Sequence, residues 1–145
     1  PLDGSRVAEA ILPFIEQIAG PLDMEVLLVR VVPLTSMDVV GMVKESQAGA
    51  PILKELDAQG YLEPLVASLK AKGVRAGARV RIGDPATEIV AAAKEINADL
   101  IAMTTHGRSG LGRLLFGSVA EAVLRGSQIP VFLMRISEAA LASAA

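Results

Sequence analysis

Apolar residues recur at helical spacing from Ser5 to Ala19, where Val7, Ile11, Phe14, Ile15 and Ile18 share one face. Ser5 is placed to cap this helix and Gly20-Pro21 to end it. Pro13 removes one ladder hydrogen bond, which predicts a bend. Met24 to Val32 reads Met-Glu-Val-Leu-Leu-Val-Arg-Val-Val, a β-branched run suited to a strand covered on both faces. Leu34 to Ala50 has weak periodicity and several turn residues, which predicts a loop with room for a short helix. Helical spacing returns at Ile52, Leu53, Leu56, Leu62, Leu65, Val66 and Leu69. Gly60 and Pro64 leave open one bent helix or two short ones, and Gly73 suits the terminating turn.

Val74 to Ile82 alternates as a strand closed by Gly83. Asp84-Pro85 predicts a helix start, with Asp84 as N-cap and Pro85 as the first helical residue. Ile89, Val90, Ala93 and Ile96 form the apolar face of that helix. Asp99 to Thr105 is a further apolar strand, followed by a glycine-rich turn from Thr104 to Ser118. Ser118 and Glu121 have the spacing of a capping box for a helix running to about Arg125. Ile129 to Ile136 is the last strand, and the alanine-rich tail from Ser137 to Ala145 is expected to fray.

Strict alternation of helices and strands predicts an α/β fold, a single domain over 1–145 with an open parallel sheet and helices on both faces. Pro1-Leu2-Asp3-Gly4-Ser5 reads as a turn that leaves a strand and enters a helix. The expectation is therefore that an apolar strand belongs before Pro1.

Composition narrows the function classes. Of the 145 residues, 52% are apolar, enough for a sizeable core. The net charge of −2, with no long basic run, argues against nucleic-acid and membrane-surface partners. There is no cysteine, which excludes disulfides and thiolate chemistry and fits a reducing cytoplasm. With three Phe, one Tyr and no Trp, stacking a base between aromatic rings is not expected.

Ligands of open α/β sheets bind beyond the carboxyl ends of the strands. Pro1 to Ser5, Val31 to Leu34 and Thr104 to Ser118 leave strands toward that edge. In the third segment, Gly107, Gly110, Gly112 and Gly117 let backbone N–H groups approach an anion. Gly117 and Ser118 lie at a helix N-terminus, and Arg108 and Arg113 add positive charge. The alternative is that these glycines serve only a tight loop. The segment fits neither the Walker P-loop nor the dinucleotide fingerprint. His106 is the sole histidine, with no paired acid or nucleophile nearby in sequence, and is expected to shape the turn.

Thr104, two residues, Gly107, nine residues and then Gly117-Ser118 resembles the Gly-x2-Gly-x9-Gly-Ser/Thr pattern of ATP-binding members of the universal stress protein family. Thr104 stands where the family has glycine. Pro1-Leu2-Asp3-Gly4-Ser5 and the Val-Arg-Val-Val-Pro stretch around Val31 resemble the family's first two strand exits. The resemblance implies a Rossmann-like five-stranded sheet of order 3-2-1-4-5, with the strand before Pro1 at its centre. It also implies a stress-response or signalling module that binds an adenine nucleotide, ATP first, with little catalysis beyond slow hydrolysis. Magnesium or manganese as companion ion is left open. The implied site is Pro1, Asp3, Val31, Met103, Thr104, Gly107, Arg108, Gly110, Gly117, Ser118 and Val119. Asp3 and Val31 would line the adenine–ribose side, and Gly107, Gly117 and Ser118 would hold ribose and phosphates. The apolar edge Val131 to Met134 is expected to pair with a second copy. The competing reading is a dimeric interaction protein of the same fold that binds no nucleotide.

Overall fold

The computed structural model describes residues 1–34, 49–107 and 117–137. The expectations for the 34–50 loop, Arg108, Gly110, Gly112, Arg113 and the tail from 138 fall wholly or largely outside the described residues. The elements run α1 (Arg6–Glu9), α2 (Leu12–Ala19), β1 (Glu25–Val32), α3 (Gly49–Ala71), β2 (Arg75–Ile82), α4 (Pro85–Glu95), β3 (Ile101–Gly107), α5 (Ser118–Gly126) and β4 (Val131–Ser137).

Local chemistry explains most boundaries. Ser5 caps α1 by accepting the Ala8 N–H at 3.1 Å, and Asp84 caps α4 by accepting the Thr87 N–H at 2.9 Å. The expected bend in the first helix is a full break. α1 stops at Glu9, and Pro13 sits in the first turn of α2, where its missing N–H costs nothing. The 52–69 segment is one helix with Pro64 inside it.

The turns into β1, β2 and β3 share one device. Asp23 (φ 50°), Gly73 (φ 81°) and Asn97 (φ 51°) each adopt a left-handed conformation after a helix. The next residue then donates its N–H back into the last helical turn: Met24 to Ala19 O (2.8 Å), Val74 to Leu69 O (3.0 Å) and Ala98 to Ala93 O (2.9 Å). These are Schellman closures, which satisfy carbonyls the helix leaves open.

β1 pairs with β2 and β3 with β4, both in parallel, with Val31 opposite Arg81 and Thr104 opposite Met134. Strand alternation sends side chains to two cores. Leu28 packs with Leu2, Ile11, Leu12, Ile15, Leu62 and Leu69 beneath α1–α3. Ile101 and Met103 pack with Ile89, Val90, Ala93, Ala120 and Val123 beneath α4 and α5. Helices on both faces of a parallel sheet are therefore as the alternating pattern predicts.

The five-stranded sheet itself is not what the described residues form. They contribute four strands in two separate pairs. A cleft of about 580 Å³, lined by residues 24–29 and 100–102, lies between β1 and β3, where the order 3-2-1-4-5 puts its central strand. At its carboxyl end the Leu2 N–H donates to Val29 O at 2.8 Å.

Candidate functional site

A second cavity, of about 460 Å³, opens at the carboxyl edge of the strands. That size suits a small organic ligand. Pro1, Asp3, Val31, Met103, Thr104, Gly117, Ser118 and Val119 all line it, so three segments distant in sequence converge there. Gly107 is the last residue of β3, three positions past Thr104.

The turn at Pro1–Ser5 is held by its own acid: Asp3 Oδ1 accepts the Ser5 N–H at 2.9 Å. Gly4 takes φ 90°, a conformation that costs an L side chain energy. Val31 and Pro33 supply the wall from the end of β1. Thr104, the departure from the family's glycine, shares its sheet face with Ala102 by strand alternation, whereas Met103 and Thr105 point to the α4–α5 face. Its side chain thus projects away from the face on which α5 begins.

The helix start differs from the capping-box expectation. Gly117 is the N-cap, Ser118 is the first helical residue, and no side chain among the described residues caps the helix. Glu121 pairs instead with Arg125 at 2.6 Å, one turn on. A glycine N-cap puts no side chain of its own over the end of α5, and among the described residues a Cβ built on Gly117 meets nothing within 4 Å. The cap's own N–H donates to Thr105 Oγ1 at 3.2 Å. The N–H groups of Ser118 and Val119 therefore carry the anion-attracting end of the helix.

Sequence reasoning missed Thr105. Only 6% exposed, it is the one buried polar side chain among the described residues, and it lines the cavity. The available signal was a hydroxyl at a core-facing position of an apolar strand. Pro85 and Ile89 of α4, and Arg30 beside Val31, also line the cavity and were read only as fold elements. Asp3 is the single carboxylate among the described lining residues, and no group of three metal-ligating side chains occurs among the described residues. No helix among them is long and apolar enough to cross a membrane.

Fold and site together define a parallel α/β domain with a ligand-sized cavity at the carboxyl edge of its strands and a glycine-capped helix N-terminus in the cavity wall. The Universal stress protein family is matched over residues 1–135, and the chain belongs to that family. Universal stress protein MJ0531 of Methanocaldococcus jannaschii is 35% identical over 137 residues, covering 93% of this chain and 79% of that protein. The solved structure of protein MJ0577, from the same organism, superposes with a TM-score of 0.76 at 27% identity, over 94% of this chain and 92% of that one. A universal stress protein solved in complex with cAMP superposes with a TM-score of 0.59 at 26% identity, over 92% and 90% of the two chains.

Proposed function

We propose that this domain is a stress-response module that binds an adenine nucleotide, with ATP as the first candidate. The observation that carries this reading is the convergence of Asp3, Val31 and the α5 N-terminus on one cavity. Phosphates are met by the N–H groups of Ser118 and Val119, assisted by the helix dipole. Base and ribose lie toward Val31, Met103 and Asp3, on aliphatic and backbone surface. The related protein in complex with cAMP supports an adenine nucleotide as the ligand class. Arg108, Gly107 and Gly110 belong to the proposed phosphate turn. With Asp3 the single carboxylate among the described lining residues, magnesium or manganese would be held chiefly by the phosphates and water. Among the described residues the cavity wall offers no paired acid, base and nucleophile, and binding rather than turnover is the proposed role.

The proposal includes a cytoplasmic homodimer joined through β4. One edge of β4 is paired with β3, and no strand pairs with the other among the described residues. An open apolar edge favours antiparallel pairing with a second copy.

The test is to denature the purified protein, identify any small molecule released, and record thermal shifts with ATP, ADP and AMP. An adenine nucleotide in the extract, or a shift with one of the three, is the expected result. Neither one would leave the dimeric interaction protein as the better reading.

A further inference from the structure

The Asp3 side of the cavity contains an arrangement that the phosphate turn does not use. Arg30 leaves β1 beside Val31 and runs beneath the Pro1–Ser5 turn. Gly4 sits directly on its guanidinium: a Cβ at Gly4 would lie 3.3 Å from Nη2 and 3.4 Å from both Cζ and Nη1. Near-equal distances to three atoms of a planar group mean an approach over its face. The same guanidinium lies over the Tyr61 ring, with Cζ 4.7 Å from the centroid. Tyr61 is fixed in turn, because its O–H donates to Glu9 Oε1 at 2.8 Å. Burial, followed by that bond, pushes the Tyr61 phenol far above its ordinary range, so it stays a donor. Three segments (the turn, β1 and α3) thus meet at one guanidinium, and α1 holds the ring on which it lies.

We propose that Arg30 is a positioning residue for the base-and-ribose end of the cavity: its guanidinium, seated on Tyr61 and covered by Gly4, sets the height of the Pro1–Ser5 turn and so the place of the Asp3 carboxylate. The inference rests on the nucleotide reading above. Planarity is required, because a slab must present a flat face to a glycine backbone and an aromatic ring. Charge is required as well, since the Arg30 cation and the Asp3 and Glu9 carboxylates all act on the Tyr61 phenol from close by. Lysine supplies the second property and not the first.

The test is a double-substitution cycle in adenosine and AMP affinity, measured by calorimetry on the whole chain. Arg30→Met is expected to weaken both ligands alike, by about tenfold, because adenosine already contains every group at this end. In an Asp3→Asn background the same substitution is expected to cost less than twofold, since the group it positions is gone. Arg30→Lys, the milder change, is expected to lose at least threefold with its melting temperature near that of the unsubstituted protein. Equal losses in both backgrounds, or full affinity in Arg30→Lys, would overturn the inference while leaving nucleotide binding intact. Failure of the unsubstituted chain to bind either ligand would overturn the nucleotide reading and this inference with it.

Discussion

Replacing Thr105 by valine tests whether the start of α5 is a held anion site or only a helix end. Valine preserves the branched shape of the side chain in its 6%-exposed position but accepts no hydrogen bond. The 3.2 Å bond from Gly117 N–H is lost, and a part-buried donor is left without its acceptor. Such a donor costs about 1–3 kcal/mol. Gly117 is exposed and lines the cavity, so the lower half of that range, about 1–2 kcal/mol, is expected. For a chain of this length each kcal/mol moves the melting midpoint by roughly 3–5 °C. Gly117 is the cap that aims the Ser118 and Val119 amides, so AMP affinity is expected to fall about tenfold, equivalent to about 1.4 kcal/mol. Adenosine carries no phosphate and is expected to lose less than twofold. Thr105→Ser restores the acceptor and is expected to recover AMP binding. Calorimetric titration of both ligands against the three proteins supplies the ratio. An AMP-to-adenosine preference unchanged in Thr105→Val would refute the argument, whatever happened to the melting temperature.

Other substitutions separate ligand effects from fold effects. Gly117→Val adds bulk where a Cβ meets nothing within 4 Å among the described residues, so equilibrium unfolding is expected to show at most about 1 kcal/mol lost from the poorer N-cap, while AMP titration shows at least a tenfold loss. Leu62→Ala empties a position that is 0% exposed on the inner face of α3; urea denaturation is expected to show a loss of about 2–5 kcal/mol. Hydrogen bonds from the Thr87 side chain and backbone hold the Asp84 carboxyl below its ordinary value. A depressed acid stabilises the fold above its unfolded-state value and stops doing so as pH falls through its folded-state value. The stability gap between the native chain and Asp84→Ala, read from urea midpoints, is therefore expected to be wide at pH 7 and to narrow in acid.

The sequence makes legible those features set by local chemistry or by long periodicity. Asp84-Pro85 specifies its helix start in two residues, and Ser5 does the same for α1. The continuous apolar run at Glu25–Val32 announces a strand buried on both faces. Ser118 misled because a hydroxyl followed three residues later by a glutamate looks like a cap. In the folded chain, Glu121 finds a better partner in Arg125, and a tertiary contact, Thr105 to Gly117, takes over the role of fixing the helix start. The break after Glu9 was misplaced at Pro13 because proline is tolerated in the first turn of a helix, so it marks a beginning as readily as a bend. Arg30 stayed hidden for another reason. Its partners, Gly4 and Tyr61, lie 26 residues before it and 31 after, and no periodicity connects a glycine φ to an aromatic ring on another helix.

The three Schellman turns lie at the amino ends of β1, β2 and β3, across the sheet from the cavity, and each is closed by bonds within its own few residues. Ligand chemistry and helix termination are thus assigned to opposite edges. For a chain with no cysteine this is of practical use to spectroscopy. Lys94→Cys places the molecule's sole thiol on a turn that Asn97 N–H closes onto the Lys94 carbonyl, a backbone contact the substitution leaves in place. A dye attached there provides a quiet reference, against which a probe at the cavity rim can report nucleotide arrival.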